Sequence, residues 1–455
     1  MQYKKIKTLL IVAAVIAMLV VPISAADEIA QSPWPKEGYD NQNTGQSQYL
    51  GVQNYSLKWS KTLKGGEVLA IGSSPIIGPD GTIYFVGAFC DKKRSYGNFY
   101  AIKPDGTVKW NKTFKDGKTC RIDISPSIGP NQVLYVTVNY EDGKKQFSKL
   151  YVINPDGKVK WSYTLKDRVT YSPTIAPDGT VYVGCCFKNK GGWFTNFYAL
   201  NSNGAFKWNR TVIERPDIYV GGFHPAIGYD GTIYFAGKVK NGNSWSSRVY
   251  ALNPRGVVKW SKTINGKNSM AVNSPSIGPD GTVYIGSTYN EKGKAIINFY
   301  AFKSDGSVKW NKKITEKGNS FLMGDQAIAA DGTIYFGSVY FKGKTQFSNF
   351  YALKPDGSVK WNKSELNNGI WATPTIGKDG TVYFANGYGT EGRYYAKLMA
   401  LNPNGTVKWS YVLRMGETFL DISPMVISAD GTMYFTGRYG KHLKEYGYIY
   451  AIKNK

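Results

Sequence analysis

Three observations predict an all-β fold built from repeated four-stranded units. A Lys-Trp pair recurs with gaps of 47 to 52 residues, and its tryptophans are Trp59, Trp110, Trp161, Trp208, Trp260, Trp310, Trp361 and Trp409. A Tyr-Ala-Leu type of run recurs at Tyr100, Tyr151, Tyr198, Tyr250, Tyr300, Tyr351 and Tyr450, with Met399 in the Tyr place once. Asp-Gly turns separate the short apolar runs of each repeat. A fixed period of about fifty residues with four strand-like runs is typical of β-propeller blades.

The composition agrees with a large β-rich core. Hydrophobic residues make up 42% of the 455 residues and aromatic residues 15%, with 34 Tyr and 12 Trp. Aromatic and β-branched side chains pack well on pleated sheets. The repeat therefore outweighs the expectation of two or three ordinary domains that the length alone would suggest.

Residues 1–26 have the order of a cleaved secretory signal. Lys4, Lys5 and Lys7 precede an apolar run at 9–21, and small residues follow at 24–26. The run is short for a membrane span, and no later run is longer. We expect export, with no transmembrane segment after cleavage and a monomeric secreted or cell-surface protein.

The chain carries a formal net charge of +25, which falls to +22 when the three signal lysines are removed. Such an excess attracts polyanions. Nucleic acid is a poor candidate outside the cell, so a cell-envelope polyanion, a glycan or a protein is the expected partner. The cations are spread over every repeat, which is also compatible with a merely solubilising surface.

Two terminal fragments complete each other and set the number of blades. Residues 27–56 read as a polar lead-in without periodicity, and Leu57–Leu63 resembles the last strand of a repeat. Ser423–Lys453 supplies the first three strands of a repeat and lacks the Lys-Trp strand. The sequence therefore predicts an eight-bladed β-propeller of four-stranded antiparallel blades over residues 57–455, closed by the N-terminal strand.

Within each repeat the strands are assigned A to D from the inside outward. Pro-Asp-Gly or a close variant joins A to B and C to D, as at Pro79-Asp80-Gly81, and is a tight turn rather than a calcium loop. The B–C and D–A links vary in sequence and lie at the opposite end of the blade. Function is therefore expected on this variable face.

The segments of the form Tyr-Ala-Leu-x-Pro-Asp-Gly-x-Val-Lys-Trp resemble the PQQ-like β-propeller repeat family. Trp34-Pro35 and Asn43-Thr44-Gly45 also resemble a short element that often precedes such propellers. The resemblance covers about residues 34–455, although the Ala-to-Trp spacing is one residue shorter and Asp-Gly replaces Thr-Gly. The family includes quinoprotein dehydrogenases, an outer-membrane assembly scaffold and exported propellers without known chemistry.

The resemblance implies one catalytic alternative. Quinoprotein alcohol dehydrogenases place an adjacent-cysteine disulfide over the quinone, and Cys185-Cys186 is such a pair. No motif for the family's catalytic Asp or calcium ligands carries over, so we expect no cofactor, with PQQ and calcium as the alternative.

Four cysteines in an exported chain favour disulfides. Three pairings exist, and we expect Cys90–Cys120 with Cys185–Cys186.

The first residues of the eight A strands form a predicted ring around the central channel. They are Ser74, Ser125, Ser172, His224, Ser274, Asp325, Thr373 and Ser423. His224 and Asp325 break the pattern, and Asp123, Trp371 and Asp421 lie two residues upstream of their ring positions. This set is either a site for a cation or sugar or a structural ring whose hydroxyls satisfy backbone groups. The two His residues and the motifs present give no support for a metal site or for hydrolysis.

The variable face offers a second set of binding candidates. Its segments contain Lys92, Arg94, Trp193 and Trp245 together with further lysines. Cations interleaved with aromatic rings suit an anionic or glycan partner. N-glycosylation sequons begin at Asn54, Asn111, Asn209, Asn362 and Asn404.

The sequence favours a non-catalytic binding or scaffold module at the cell surface or outside the cell. A PQQ-dependent oxidoreductase and a carbohydrate-binding propeller remain the alternatives.

Overall fold

The structure is a computed structural model, and it describes residues 32–455 apart from short gaps. The gaps are residues 64–66, 72, 92–93, 118, 123, 144, 170, 190–191, 214–223, 242–243, 265–267, 316–317, 344, 367–371, 391–392, 418–419 and 442–443. The predicted signal, residues 1–26, lies outside the described residues.

The described chain is almost entirely β-structure, and its one helical element is a three-residue 3₁₀ turn at Pro130–Gln132. The strands of the first half are β1 (Tyr55–Thr62), β2 (Glu67–Ala70), β3 (Ile76–Ile77), β4 (Ile83–Cys90), β5 (Ser95–Ile102), β6 (Val108–Phe114), β7 (Thr119–Arg121), β8 (Ser127–Ile128), β9 (Leu134–Asp142), β10 (Lys145–Ile153), β11 (Val159–Leu165), β12 (Arg168–Val169), β13 (Thr174–Ile175), β14 (Val181–Asn189), β15 (Gly192–Leu200), β16 (Phe206–Ile213), β17 (Ala226–Ile227), β18 (Ile233–Asn241), β19 (Ser244–Leu252) and β20 (Val258–Ile264).

The strands of the second half are β21 (Ser269–Val272), β22 (Ser276–Ile277), β23 (Val283–Glu291), β24 (Lys294–Phe302), β25 (Val308–Ile314), β26 (Asn319–Ile328), β27 (Ile334–Lys342), β28 (Thr345–Leu353), β29 (Val359–Leu366), β30 (Thr375–Ile376), β31 (Val382–Thr390), β32 (Arg393–Leu401), β33 (Val407–Gly416), β34 (Leu420–Ile422), β35 (Val426–Ile427), β36 (Met433–Lys441) and β37 (Lys444–Asn454).

These strands form eight antiparallel sheets, each a blade in the predicted order A, B, C, D. The prediction of an eight-bladed propeller is confirmed. So is its closure: β1 pairs with β37, with Tyr55 opposite Asn454 and Thr62 opposite Tyr448. The N-terminal strand is thus the outer strand of the last blade, and no blade is left with an open outer edge there.

Proline explains why the inner strand is usually broken in two. In blade one, β2 and β3 both pair with β4, and Ser74-Pro75 lies between them. Proline has no N–H to donate to a ladder and interrupts a strand. In blade six Asp325-Gln326 stands in the Ser-Pro place, and β26 continues unbroken over ten residues.

The B–C links are more regular than their sequences suggested. In seven blades two residues separate strand B from strand C, as at Lys292-Gly293 between β23 and β24, and only blade one has four. Both linking residues have left-handed backbones there, with φ of 52° and 83°, as in the tight turns that join hairpins. The variable residues therefore lie mostly on long hairpin strands rather than on irregular loops.

The hydrophobic core lies between neighbouring blades. The buried side chains of each blade pack against those of the next, so that Tyr182 and Phe197 of blade three meet Phe235 and Tyr250 of blade four. Each outer-strand tryptophan joins two blades in the same way. The indole N–H of Trp260 donates to Ser304 O at 2.8 Å, and its ring lies over Gly306 of the following blade.

Candidate functional site

The segment of residues 32–53, here called the channel plug, closes one end of the central channel. Backbone N–H groups of six inner strands donate to its carbonyls at 2.7 to 2.8 Å: Ile77 to Trp34, Ile128 to Pro35, Ile227 to Asn41, Ile277 to Gln42, Ile328 to Thr44 and Ile376 to Gly45. Trp34, Lys36, Asn41, Asn43 and Ser47 are buried. The lead-in predicted as polar and aperiodic is thus an integral part of the fold.

The plug carries charged side chains into the channel. Lys36 Nζ donates to Asp40 O at 2.9 Å and also to Asn43 Oδ1. Asn43 Nδ2 donates in turn to the carbonyls of His224 and Pro275. Burial lowers the pKa of Lys36 to about 8, although Asp40, Glu37 and Asp325 oppose the shift. The plug thus brings bonded polar groups into the channel, although the buried Asn41 Nδ2 and His224 Nδ1 have no hydrogen-bond partner among the described residues.

His224 and Glu37 form the central ion pair of this arrangement. His224 Nε2 lies 3.1 Å from Glu37 Oε2, and Ser125 Oγ donates to the same carboxylate oxygen. Burial raises the pKa of Glu37 on its own, but His224 and the hydroxyl donors outweigh it and bring that pKa to about 2. Burial lowers the pKa of His224, and Glu37 outweighs it and raises that pKa.

The strand-start ring is structural where the structure describes its bonds. The N–H of Ser74 donates to Ser125 Oγ, that of His224 to Ser274 Oγ, that of Ser274 to Asp325 Oδ1 and that of Asp325 to Thr373 Oγ1. These bonds join blade one to two, four to five, five to six and six to seven around the channel. Asp325 replaces a ring hydroxyl as acceptor, and the free space beside it is about 20 Å³, room for one water molecule.

His224 and Asp325 face the chain's own plug, with His224 paired to Glu37 and Asp325 accepting from the N–H of Ser274, and their predicted role in binding a cation or sugar stays a prediction. Asp421 does not join them; its carboxylate accepts from Arg438 Nε at 2.6 Å within blade eight. Asp123 and Trp371 lie outside the described residues. The sequence feature that could have revealed the charged plug is Lys36-Glu37, a charged pair directly after Trp34-Pro35.

The described residues do not fit a quinone at the place that the resemblance implied. Cys185 and Cys186 are adjacent on β14, so their side chains point to opposite faces of the sheet. Cys185 packs in the core shared with blade two, and Cys186 packs in the core shared with blade four. Among the described residues the two cysteines therefore do not form a platform for a ring system, and no step is derived through a quinone.

The predicted pairings Cys90–Cys120 and Cys185–Cys186 stay predictions, and the structure shows no S–S bond among these four described cysteines. Cys185 and Cys186 diverge for the reason just given, and Cys186 Sγ lies 3.5 Å from Thr195 Oγ1 instead. Cys90 and Cys120 occupy neighbouring blades, and Ser95, the cross-strand partner of Cys90, accepts a bond from the N–H of Cys120. Burial raises the pKa of the Cys120 thiol to about 12, despite a backbone hydrogen bond that opposes the shift.

Seven lysines are paired with aspartates on the face that carries the Asp-Gly turns, here called the turn face. In seven blades the lysine before the outer-strand tryptophan pairs with the aspartate of the A–B turn at 2.8 to 3.5 Å: Lys58–Asp430, Lys109–Asp80, Lys207–Asp178, Lys259–Asp230, Lys309–Asp280, Lys360–Asp331 and Lys408–Asp379. The same aspartates accept from the backbone N–H two residues on, as Asp80 does from Thr82 at 3.0 Å. The prediction that they serve as turns fits this geometry.

The opposite face, here called the hairpin face, has cations at its hairpin tips. Arg94, Lys145, Lys292, Lys294, Lys342, Arg393, Lys441 and Lys444 are all exposed. Lys238 lies over the ring of Trp245 with its ammonium 4.9 Å from the ring centroid, so these two predicted site residues do meet. Arg121 and Arg168 line a small pocket with Tyr140 and Gln146 on the same face. Lys92 and the side chain of Trp193 lie outside the described residues.

All five sequon asparagines, Asn54, Asn111, Asn209, Asn362 and Asn404, are exposed. Among the side chains that the structure describes, no group of three or more His, Cys, Asp or Glu residues is placed to hold a metal ion. Across the same part of the chain, no helix has the length and apolar character needed to span a membrane.

Comparison with known proteins agrees with the architecture. The family model described as "Outer membrane protein assembly factor BamB" matches residues 95–341, more than half of the chain. No curated protein matches.

Among solved structures, similarity extends to a eukaryotic initiation factor (10% identity, 83% of this chain and 84% of that one, TM-score 0.47). It also extends to prolyl oligopeptidase B from Galerina marginata (12% identity, 84% of this chain and 56% of that one, TM-score 0.47).

Proposed function

Because the chain belongs to the family described as outer membrane protein assembly factor BamB, a family of PQQ-like propeller repeats, we propose that it is an exported, non-catalytic propeller that binds a partner outside the cytoplasm. The plug supports a non-catalytic role, since it fills the channel where a propeller would hold a small substrate. The segment at 1–26 supports export. The family's printed role in assembly supports a scaffold rather than an enzyme.

The observation that carries the proposal is the difference in charge between the two faces. On the turn face seven lysines are paired with aspartates within 3.5 Å. On the hairpin face the tip cations named above are exposed, with Lys292 in one two-residue turn and Lys294 directly after it. Exposed cations attract an anionic surface, whereas paired ones contribute little field.

The partner proposed is therefore an anionic polymer of the cell envelope that lies across the hairpin face. Eight hairpins arranged in a ring present their tips to the same side, so a long chain contacts several at once. Such contacts act additively through multivalency. Binding should weaken as salt rises, because exposed charges are screened within about 8 Å at physiological ionic strength.

A matched pair of double variants tests this assignment. Lys292→Glu with Lys294→Glu reverses two tip charges on the hairpin face. Lys103→Glu with Lys158→Glu makes the same change in net charge at exposed C–D turn positions on the turn face. With dextran sulfate as the probe and neutral dextran as the blank, we expect about threefold to tenfold weaker binding from the first pair and little change from the second. Equal losses would show that diffuse charge binds the polymer.

The quinoprotein alternative is tested separately. Protein incubated with PQQ and calcium should show no protein-bound quinone absorbance after desalting. A retained quinone spectrum, with one quinone per chain, would refute the non-catalytic proposal.

The carbohydrate alternative rests on Trp245, the one predicted sugar-stacking tryptophan whose side chain is described. Its ring is half-buried and already carries Lys238 on one face. Because Lys238 already lies over one face of its ring, Trp245 suits an anionic polymer at least as well as it suits a neutral sugar.

A further inference from the structure

One A–B turn departs from the pattern of the other seven. Blade two reads Pro130-Asn131-Gln132-Val133 where the others have Asp-Gly followed by Thr at the last three positions. Asn131 and Gln132 both have left-handed backbones, with φ of 58° and 61°. Two successive non-glycine residues in this region are uncommon and strained. Strain that is retained in a structure points to a local function.

The first consequence concerns Lys160, the lysine that precedes the tryptophan of this blade. Asn131 takes the place of the aspartate that pairs with the equivalent lysine in every other blade. Lys160 is exposed and has no ion-pair partner among the residues that the structure describes. Blade two thus keeps an unneutralised ammonium group on a face where its seven counterparts are paired.

The second consequence concerns Trp161. In the other seven blades the equivalent tryptophan lies 5.8 to 6.1 Å from the buried strand-B tyrosine, with the ring planes inclined by 42° to 48°. In blade two Trp161 and Tyr135 are 6.5 Å apart and inclined by 74°. The indole N–H of Trp161 also makes a longer bond, 3.2 Å to Ser202 O. The altered A–B turn of blade two therefore coincides with a different orientation of the Trp161 indole.

Between these residues lies an open cleft of about 650 Å³. Pro130 and Pro177 form parts of its walls, and the rings of Trp161 and Tyr135 supply apolar surface. Lys160, Asn131 and Asn203 add polar groups. Ligand pockets of a few hundred Å³ combine apolar walls with a small number of polar groups in this way. Asp178 also lines the cleft, but Lys207 neutralises it at 3.5 Å.

We propose that this cleft binds one carboxylated sugar unit of an acidic glycan. The single unpaired cation, Lys160, matches one carboxylate. The aromatic edge at Trp161 suits the apolar C–H face of a pyranose, and the amides of Asn131 and Asn203 suit its hydroxyls. The site lies on the turn face, opposite the polymer-binding surface proposed above, and depends on none of its residues.

The sequence of the other blades supplies a precise way to abolish the site. Asn131→Asp, Gln132→Gly and Val133→Thr together rebuild the turn found in the other seven blades. The restored aspartate should pair with Lys160, and the glycine relieves the left-handed strain at position 132. This triple variant should fold at least as well as the parent, so a loss of binding in it is not a folding defect.

The test measures binding of free glucuronate by calorimetry or by NMR titration, with glucose, acetate and inorganic phosphate as comparison ligands. We expect glucuronate to bind, glucose and acetate to bind at least tenfold more weakly, and both the triple variant and Lys160→Met to lose glucuronate binding at least tenfold. Lys309→Met, which removes a paired lysine in blade five, should leave it unchanged. Unchanged binding in the triple variant, equal binding of acetate, or preference for phosphate would overturn the proposal.

Discussion

Seven of the eight outer-strand tryptophans lie against a glycine in the next blade, and Trp409 is the exception among the described residues. A methyl group added at Gly306 would lie 2.7 Å from the ring of Trp260. Gly106, Gly157, Gly204, Gly256, Gly357 and Gly405 lie in the same way against the preceding tryptophan. The Asp-Gly pair of the C–D turn therefore has two functions. It forms the turn, and it leaves room for the indole that packs one blade on the next.

Gly306→Ala and Gly281→Ala separate these two functions. Both glycines have left-handed backbones, with φ of 81° and 76°, but a methyl group at Gly281 would have no neighbour within 4 Å. Gly281→Ala should cost about 1–2 kcal/mol from backbone strain alone. Gly306→Ala should cost about 1–3 kcal/mol more, because the ring must move. Urea unfolding measures both, and equal losses would contradict the proposed packing role.

The Glu37–His224 pair makes stability depend on pH in a defined window. The pKa of His224 is raised, so its contribution is complete below the ordinary value of 6.5 and is lost as pH rises through the higher folded pKa. The pKa of Glu37 is lowered to about 2, so its contribution is present above the ordinary value of 4.5 and is lost as pH falls toward 2. The pair therefore stabilises most between about pH 4.5 and 6.5.

Glu37→Gln should remove that stabilisation. Breaking a buried ion pair leaves an uncompensated charge, and the loss should reach about 3–5 kcal/mol near pH 5.5 and shrink as His224 deprotonates. Glu291→Gln, which removes the partner of Lys313 in an exposed pair, is the control and should have little effect across the range. Melting temperatures from pH 5 to 9 decide the matter, because this range spans the plateau and the higher pH at which His224 loses its proton; Lys36, whose pKa is about 8, is present in both proteins. A pH-independent difference would exclude the pair as its cause.

At the scale of elements, the closing strand β1 completes blade eight and links it to blade one. It pairs with β37, and the indole N–H of Trp59 donates to Pro104 O of blade one at 2.9 Å. Chains beginning at Asn54 and at Gly65 both lack the plug, and only the second also lacks β1. The second should be less stable by at least about 3–5 kcal/mol, the usual loss for a buried tryptophan, and more prone to aggregate through β37.

Thermal unfolding of the two truncated chains at one protein concentration tests the closure. Identical melting temperatures would show that β1 does not complete the last blade. A lower melting temperature in the chain that begins at Gly65 supports the pairing and gives its contribution.

The sequence predicted the elements that follow its period and missed those that do not. The strands, the Asp-Gly turns and the closure by β1 repeat a pattern or complete one, so they were readable. The plug has no repeat, because its conformation is set by carbonyls that meet the N–H groups of six inner strands far along the chain. The adjacency of Cys185 and Cys186 suggests a bond, whereas an extended strand directs successive side chains to opposite faces of the sheet.

At the scale of the whole molecule, the plug changes how the blades share stability. Repeat proteins generally gain stability from neighbouring units only, and their ends unfold first. Here residues 32–53 bond to blades one, two, four, five, six and seven, and the ring hydrogen bonds join several neighbours around the channel. Blades distant in sequence are therefore coupled through a single segment, which favours unfolding of the propeller as one unit.

The chain that begins at Asn54 tests this coupling against the chain that begins at Ser32. With the plug, urea unfolding followed by tryptophan fluorescence and by far-ultraviolet circular dichroism should give coincident single transitions. Without it, eight backbone hydrogen bonds worth about 1 kcal/mol each and the burial of Trp34 are lost, so the midpoint should fall. The inner strands and the outer tryptophans should then unfold at different urea concentrations, and the two probes should separate. Coincident transitions with an unchanged midpoint would mean that neighbouring-blade contacts alone hold the ring together and that the plug only fills the channel.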